Sequence, residues 1–369
     1  MKFVLEADDG ETRRALDRLD LGPPFETIIA PAVGPRTKPK ALNAALPLAR
    51  GPFTAVYDAE DAPEPDQLRR AVAAFTASED RLACLQASLT IDNTADNWLT
   101  SMFTANYAGQ FDVLLPGLAA LRLPFPLGGS SNHFRTSALR LSGGWDPYNV
   151  TEDADLGIRL HRLGFRAATL PSATYEEAPA RLVPWLKQRT RWYKGWMQTW
   201  CVHMRQPITL IRELGFAGTA AFQLFLTCNV LAALVHPFFM AGLCYALLGH
   251  PPLRALAALG QDAPVFIAAL LAGYGSNAAL DLVGLQRRGL LSYAWVLALT
   301  PVYWLLLSLA AWRALFQLVH DPQRWEKTEH GLARNSRVGG SKRRMKARNA
   351  SRPVAPTTIM ATAGGALMR

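Results

Sequence analysis

Three long apolar segments, 216–248, 264–285 and 290–318, follow one another almost without interruption in the second half of this 369-residue chain. Each meets the length of about 20 residues that a bilayer crossing needs. A soluble core of this size cannot absorb so much apolar surface, so a membrane region is the expectation and buried helices of a soluble protein the weaker alternative. The middle segment is less clean, because it carries Asn277 and Asp281, and Pro301 interrupts the third. Whatever precedes these segments has to fold as a domain beside a membrane, and the polar, basic stretch 319–369 has to lie outside it.

The first two hundred residues read differently. "KFVLEADDG" is strand-like and ends in a carboxylate turn, "ETRRALDRLD" is a short helix, and "FETIIAPA" is a second strand. A helix in "RTKPKALNAALPLAR", a third strand in "GPFTAVYDAED", a helix in "PDQLRRAVAAF" and a strand in "RLACLQASLTI" continue the alternation. Alternating strands and helices predict a largely parallel α/β sheet. Ligands of such sheets sit beyond the carboxyl ends of the strands. The acidic turns Asp8-Asp9 and Asp58-Ala59-Glu60-Asp61 fall at such ends.

Charge and cysteines narrow the chemistry. Cys84, Cys201, Cys228 and Cys244 show no paired spacing, so buried free thiols are expected rather than a disulfide framework or a zinc site. The formal net charge is +10, concentrated in a tail that includes Lys342, Arg343, Arg344, Lys346 and Arg348. Placed after apolar helices, and without interleaved aromatic residues, this run fits an anionic membrane lipid surface better than a nucleic acid. No secretory leader opens the chain.

Five motifs carry candidate chemistry. Asp58 and Glu60, two apart at a strand end, can share a hard divalent ion such as Mg2+ or Mn2+, although acid-rich turns are common in surface loops. Arg36, Lys38 and Lys40 precede a helix, which makes either an anion site or a solvated basic loop. "PLGGSSNHFRTSAL" reads as a Gly/Ser loop before a helix, where His133 either serves a substrate hydroxyl or is structural. In "NVTEDADLG", Thr151 suits an N-cap, and Glu152, Asp153 and Asp155 complement the helix dipole, a sufficient reading without catalysis. Leu156, Ile158, Leu160 and Leu163 supply the apolar face of that helix. "WLKQRTRWYKGWMQTW" offers cations for a diphosphate and Trp faces for sugar rings, or else an interfacial helix.

The order "DDG", "KPKALN", "DAED", "GGSSNHF", "TED", "QRTRW", followed by membrane helices, resembles the processive family-2 glycosyltransferases, which include bacterial cellulose synthase and related exopolysaccharide synthases. The resemblance implies an α/β GT-A (Rossmann-like) catalytic domain followed by an α-helical transmembrane region. It implies a UDP-sugar donor, a polysaccharide acceptor and Mg2+ or Mn2+, in an inverting transfer at the cytoplasmic membrane of a bacterium. Residue by residue, it puts Asp9 and Lys40 at the donor, Asp58 and Glu60 at the metal, and Gly129, Ser130 and His133 at the acceptor. Asp153 becomes the general base with Glu152 assisting. Gln188 and Trp192 contact the acceptor and Arg191 the diphosphate. "WEKTEHG" resembles a gating loop, with Trp325, Thr328 and His330 at its marked positions. A gating loop on the donor side requires an even number of earlier spans. Either 216–248 is then a hairpin, or 290–318 is partly interfacial.

The domain reading is therefore 1–200 catalytic, 201–215 interfacial, 216–318 transmembrane and 319–369 a basic tail. One departure stands out. The family's domain begins with an earlier strand and helix, whereas Met1 here falls on what should be the second strand, leaving a central strand without its neighbour. A truncated or mis-started enzyme, an inactive subunit, or half of a split protein completed by a partner subunit are the readings this leaves open. A non-processive membrane transferase shares the early motifs.

Overall fold

The structure, a computed structural model, describes residues 1–249, 263–322, 324, 326 and 358–363. The described part is an α/β domain continued by long apolar helices. Its strands are β1 (Lys2–Glu6), β2 (Glu26–Ala30), β3 (Phe53–Asp58), β4 (Ala62–Pro63), β5 (Leu82–Ile91), β6 (Asn132–Arg135), β7 (Arg166–Glu176) and β8 (Thr358–Ala363). They form one sheet in the order β2-β1-β8-β3-β6-β5-β7-β4. The expected strands are present, but the sheet is mixed rather than largely parallel. β1 pairs with β2 and β5 with β7 in parallel, while β6 runs antiparallel to both β3 and β5.

Two strands escape the sequence pattern for physical reasons. β6 has four residues and follows "GGSS" directly, so no alternation is long enough to see. β7 contains Pro171, which argues against a strand. The ladder with β5 jumps from Ala87↔Leu170 to Ser88↔Ala173, so Pro171 sits in a bulge where its missing N–H breaks no rung. The place beside β1 that was expected to be open holds β8, antiparallel to β1 and to β3, with Met360 opposite both Lys2 and Val56.

The helices that accompany the sheet are α1 (Gly10–Asp17), α2 (Lys38–Ala45), α3 (Gln67–Thr76), α4 (Trp98–Gly109), α5 (Leu115–Ala120), α6 (Thr136–Leu141), α7 (Glu152–Arg162) and α8 (Leu182–His203). Then follow α9 (Pro207–Phe222), α10 (Asn229–Gly249), α11 (Ala263–Arg287) and α12 (Thr300–His320). Helices over Pro207–Tyr245, Ala268–Arg287 and Leu291–His320 are long and apolar enough to cross a membrane. The first is not a hairpin: α9, a π-helical turn over Gln223–Cys228 and α10 follow one another as helix. Its early part breaks at Gly215, whose φ of +68° suits glycine. The third begins with a 3-10 stretch, Leu291–Leu299. Cys84 is buried as expected, whereas Cys201, Cys228 and Cys244 are exposed.

α4 is capped by Asn97 and Thr100, whose side chains satisfy each other's backbone N–H groups. It lies against α11 with almost no side-chain layer between them. A Cβ on Gly284 would overlap the backbone of Ala108, and one on Gly109 would overlap Asp281. Asp281, the residue that made the second apolar segment less clean, accepts hydrogen bonds from Asn106 of α4 at 2.8 Å and Asn277 at 3.1 Å. It is 1% exposed and faces protein, as an acid in an apolar helix must. Just past α11, Arg288 donates to Asp112 at 2.5 and 3.0 Å and to the Leu89 carbonyl at 3.0 Å.

Gly284→Ala is expected to destabilise the detergent-solubilised protein by about 1–3 kcal/mol through overpacking. Its melting temperature falls by several degrees, while Gly275→Ala, which meets nothing within 4 Å, leaves it unchanged. Equal melting temperatures would contradict the backbone contact between α4 and α11.

Candidate active site

A cavity of about 430 Å³ opens at the carboxyl ends of β1, β3 and β7. Its first wall is built by turns that follow strands. Asp9 caps α1, accepting from the Thr12 N–H at 3.1 Å and the Thr12 hydroxyl at 2.8 Å, and lines the cavity. Asp58 and Glu60 line it directly after β3. Lys38, at the start of α2, forms an ion pair with Asp58 and donates to the Gly129 carbonyl at 2.5 Å. Burial alone favours the neutral amine, but the carboxylates of Asp58, Glu152 and Asp153 outweigh it and hold Lys38 charged, above its ordinary range. The Ser130 hydroxyl accepts from the Asp58 N–H at 3.2 Å and donates to Asp61. Burial, then the charge of Asp58, raises the proton affinity of Asp61 well above normal.

Asp58 and Glu60 offer hard oxygen donors, which fit a divalent cation of the Mg2+ or Mn2+ type. Among the described residues no group of three or more acids, histidines or cysteines converges as a metal cage. Such a cation would therefore be completed by water and ligand phosphates, a common arrangement for these hard ions.

The second wall is the start of α7, with Glu152 and Asp153 facing the cavity. Thr151 occupies the N-cap position, yet its side chain makes no cap bond. Its N–H and hydroxyl turn to the Asn149 side chain at 2.9 and 3.4 Å instead. Glu152 is 4% exposed, and burial followed by the charge of Asp153 raises its pKa to about 7. Burial raises Asp153 as well. A Cβ on Gly129 would lie 3.3 Å from the Asp153 carboxylate, so a larger residue in that loop would crowd the acid.

Asp155 is more than a dipole partner. It accepts from Arg159 at 2.6 and 3.1 Å and faces His203 Nε2 of α8 at 3.1 Å. Asn149 donates to Thr199 of α8 at 2.8 Å, and Gly195 leaves no room for a Cβ beside Thr151. α8 therefore fixes where α7 begins. On the helix itself Leu156, Ile158 and Leu160 are buried as expected, whereas Leu163 is exposed.

α8 is the third wall. Gln188, Arg191 and Trp192 line the cavity together. The Trp192 ring lies parallel to Tyr107, centroids 6.4 Å apart, and the Arg189 guanidinium sits 4.3 Å from the Trp192 centroid. Arg191 stands near enough to Glu152 and Asp153 to favour their charged forms.

Two expected site residues lie elsewhere. Lys40 is buried behind the wall, bound to Glu6 and to the Pro31 carbonyl, both at 2.9 Å; Lys38 takes the place facing the cavity. His133 is 2% exposed on β6, 3.0 Å from the Tyr57 hydroxyl and 3.4 Å from the Leu85 carbonyl. Burial lowers its pKa to about 4, so it is a neutral core histidine. Trp325, Thr328 and His330 and the basic tail around Lys342 lie outside the described residues. The chain leading toward them is held by buried Lys194 of α8, which donates to the Arg324 carbonyl at 2.6 Å. The sequence reading also missed Glu176 and Tyr107, which line the cavity. The "YEE" at 175–177 would have pointed to Glu176 had β7 been recognised through Pro171.

The family model described as Glycosyl transferase family group 2 matches residues 53–319. The Probable glycosyltransferase YdaM of Bacillus subtilis (strain 168) is 27% identical over 169 residues, covering 46% of this chain and 40% of that protein. The chain thus aligns with less than half the length of that curated relative. Among solved structures, the mannosyltransferase PcManGT from Pyrobaculum calidifontis, in complex with GDP-Man and Mn2+, is similar with a TM-score of 0.45. The identity is 19%, over 80% of this chain and 76% of that one.

Gly195→Ala is expected to push α8 away from Thr151, lowering stability by about 1–3 kcal/mol. Because the start of α7 moves with Thr151, turnover should fall further than the loss of folded protein accounts for. Thermal melting and turnover per folded molecule measure the two effects, and unchanged values of both would contradict the tight α7–α8 seat.

Proposed function

Because the chain belongs to glycosyl transferase family group 2 and carries a GT-A type Rossmann-like sheet followed by helices apolar enough to span a membrane, we propose that this transferase is an inverting sugar polymerase. It would move a sugar from a UDP-sugar to a growing β-linked polysaccharide at the bacterial cytoplasmic membrane. One observation carries the reading: a strand-end carboxylate pair, a helix-start acid and the Gln188–Arg191–Trp192 triplet line one cavity.

The chemistry follows from the side chains. Asp153 accepts the proton of the attacking acceptor hydroxyl, and burial has already raised its affinity for that proton. Glu152, the adjacent acid with a likewise raised proton affinity, assists by sharing that proton. Lys38 and Arg191 present fixed positive charge to a leaving diphosphate. Asp58 and Glu60 would hold a divalent cation, which when bound supplies further positive charge to the diphosphate. Trp192, stacked on Tyr107, offers a flat apolar face to an acceptor sugar. Attack from the side opposite the leaving group inverts the anomeric carbon. Processive synthesis rests on the "QRTRW" motif alone, so linkage analysis of the product is its test.

Asp153→Asn should lower sugar transfer by roughly 10²–10⁴-fold in membranes supplied with a radiolabelled nucleotide sugar. Donor binding should persist, and equal incorporation by the variant would rule out the base assignment.

The wild-type rate should fall as pH drops through about 7, because the buried Glu152–Asp153 pair then takes up a proton and loses its acceptor. A pH–rate profile measured at saturating donor tests this, and a flat profile between about pH 5.5 and about pH 8 would contradict it.

A further inference from the structure

Glu176 is an acid of the cavity that the transfer step above leaves unused. It is the last residue of β7, in register with Ile91, and its carbonyl accepts the Asp92 N–H at 2.9 Å. Its carboxyl is thereby fixed over the carboxyl edge of the sheet, where ligands of such sheets bind. On one side it lies within electrostatic reach of Asp58 and Glu60. On the other, the Tyr107 hydroxyl donates to it, and Tyr107 in turn feels the charge of Asp153. Glu176 thus links the region of the carboxylate pair to that of the base, the interval a transferred sugar has to occupy.

Tyr107 cannot swing away. It is 6% exposed and held edge-on by Phe103 and Phe111, at 4.7 and 5.0 Å between centroids, and by the parallel Trp192 ring. A carboxylate has about four acceptor positions, and Tyr107 fills one. Lys38, the nearby cation, is engaged by Asp58 and the Gly129 carbonyl. Among the described residues Glu176 does not join Asp58 and Glu60 in a three-ligand metal cluster. The acids around it, Asp58 and Glu60, disfavour phosphate at this position. Neutral donors are left, and the hydroxyl groups of a hexose are such donors.

A second observation on the same cavity points the same way. Gln188 and Arg189 are each 8% exposed, and Gln188 Oε1, Arg189 Nε and Arg189 Nη2 have no hydrogen-bond partner among the described residues. Buried polar atoms are normally satisfied, so these mark a place for a polar ligand. A carboxylate, an amide and a guanidinium beside the Trp192 face form the kind of lining that a polyhydroxylated ring fits.

We infer that Glu176 is the specificity-determining residue for the transferred sugar, accepting hydrogen bonds from its ring hydroxyls, with Tyr107 as a positioning residue. The inference rests on the transferase reading above. The test is calorimetric titration of the purified full chain with UDP, GDP and a panel of UDP- and GDP-hexoses in the presence of Mn2+. Glu176→Ala should weaken binding of the preferred sugar nucleotide roughly tenfold or more, since buried hydrogen bonds to the sugar are lost. The affinity for the matching nucleoside diphosphate should stay at the wild-type value, which also shows that the variant is folded. Glu176→Gln should bind the sugar nucleotide with intermediate affinity and discriminate less between hexose epimers. Unchanged sugar-nucleotide affinity in Glu176→Ala overturns the inference. So does an equal loss for nucleoside diphosphate and sugar nucleotide, which would assign Glu176 to the phosphate end or to the fold. A wild-type protein that binds no sugar nucleotide overturns the transferase reading, and this inference with it.

Discussion

One buried ammonium group makes this site tenable. Asp58, Asp61, Glu152, Asp153 and Glu176 all line a single cavity, where like charges in a low dielectric repel strongly. Lys38 sits among them, paired with Asp58, bound to the Gly129 carbonyl, and felt by Glu152, Asp153 and Glu176. It ties the strand end that carries the carboxylate pair to the glycine loop beside Asp153. The acids that remain uncompensated respond by holding protons: Glu152 is raised to about 7 and Glu176 to about 8, in both cases chiefly by burial. A site under this tension is ready for a ligand that brings positive charge or neutral hydrogen-bond donors.

The rest of the fold keeps that arrangement in place. α8 sets the start of α7 through His203, Thr199 and the missing side chain of Gly195, so the helix carrying Arg191 and the helix carrying Glu152 and Asp153 move together. The same α8 packs along α12 and binds the chain beyond it through Lys194. On the other flank, α4 supplies Tyr107 to the cavity and Asn106 to Asp281 of α11. Helices apolar enough to enter a membrane are thus attached directly to both sides of the cavity. A polymerase that hands its product to a membrane would need that attachment.

Much of this was legible in the sequence because the informative residues sit where periodicity changes. Asp58 and Glu60 end a recognisable strand, Asp153 opens a clean helical pattern, and Gln188, Arg191 and Trp192 fall in a dense Trp/Arg run; all six line the cavity. The failures have local causes. Lys40 and Lys38 lie on the same helix two residues apart, and only tertiary packing decides which of them turns to Glu6. His133 looked like a loop residue because β6 is too short to show its alternation, and as a strand residue it points into the core. Thr151 has the right type for a cap, but Asn149 competes for its hydroxyl. Glu176 was hidden by Pro171, a residue that normally excludes a strand and here marks a bulge. The filling of the place beside β1 by β8 depends on a pairing between the two ends of the chain, to which no local pattern gives access.

The most direct measurement is a structure of the full chain with its sugar nucleotide and Mn2+ bound, determined in lipid nanodiscs by electron cryomicroscopy. It should show the cation on Asp58 and Glu60, the diphosphate toward Lys38 and Arg191, and the anomeric carbon facing Asp153, with the sugar hydroxyls against Glu176. A nucleotide bound outside this cavity, or one whose anomeric carbon faces away from Asp153, would contradict the assignment of these residues to a single transfer reaction.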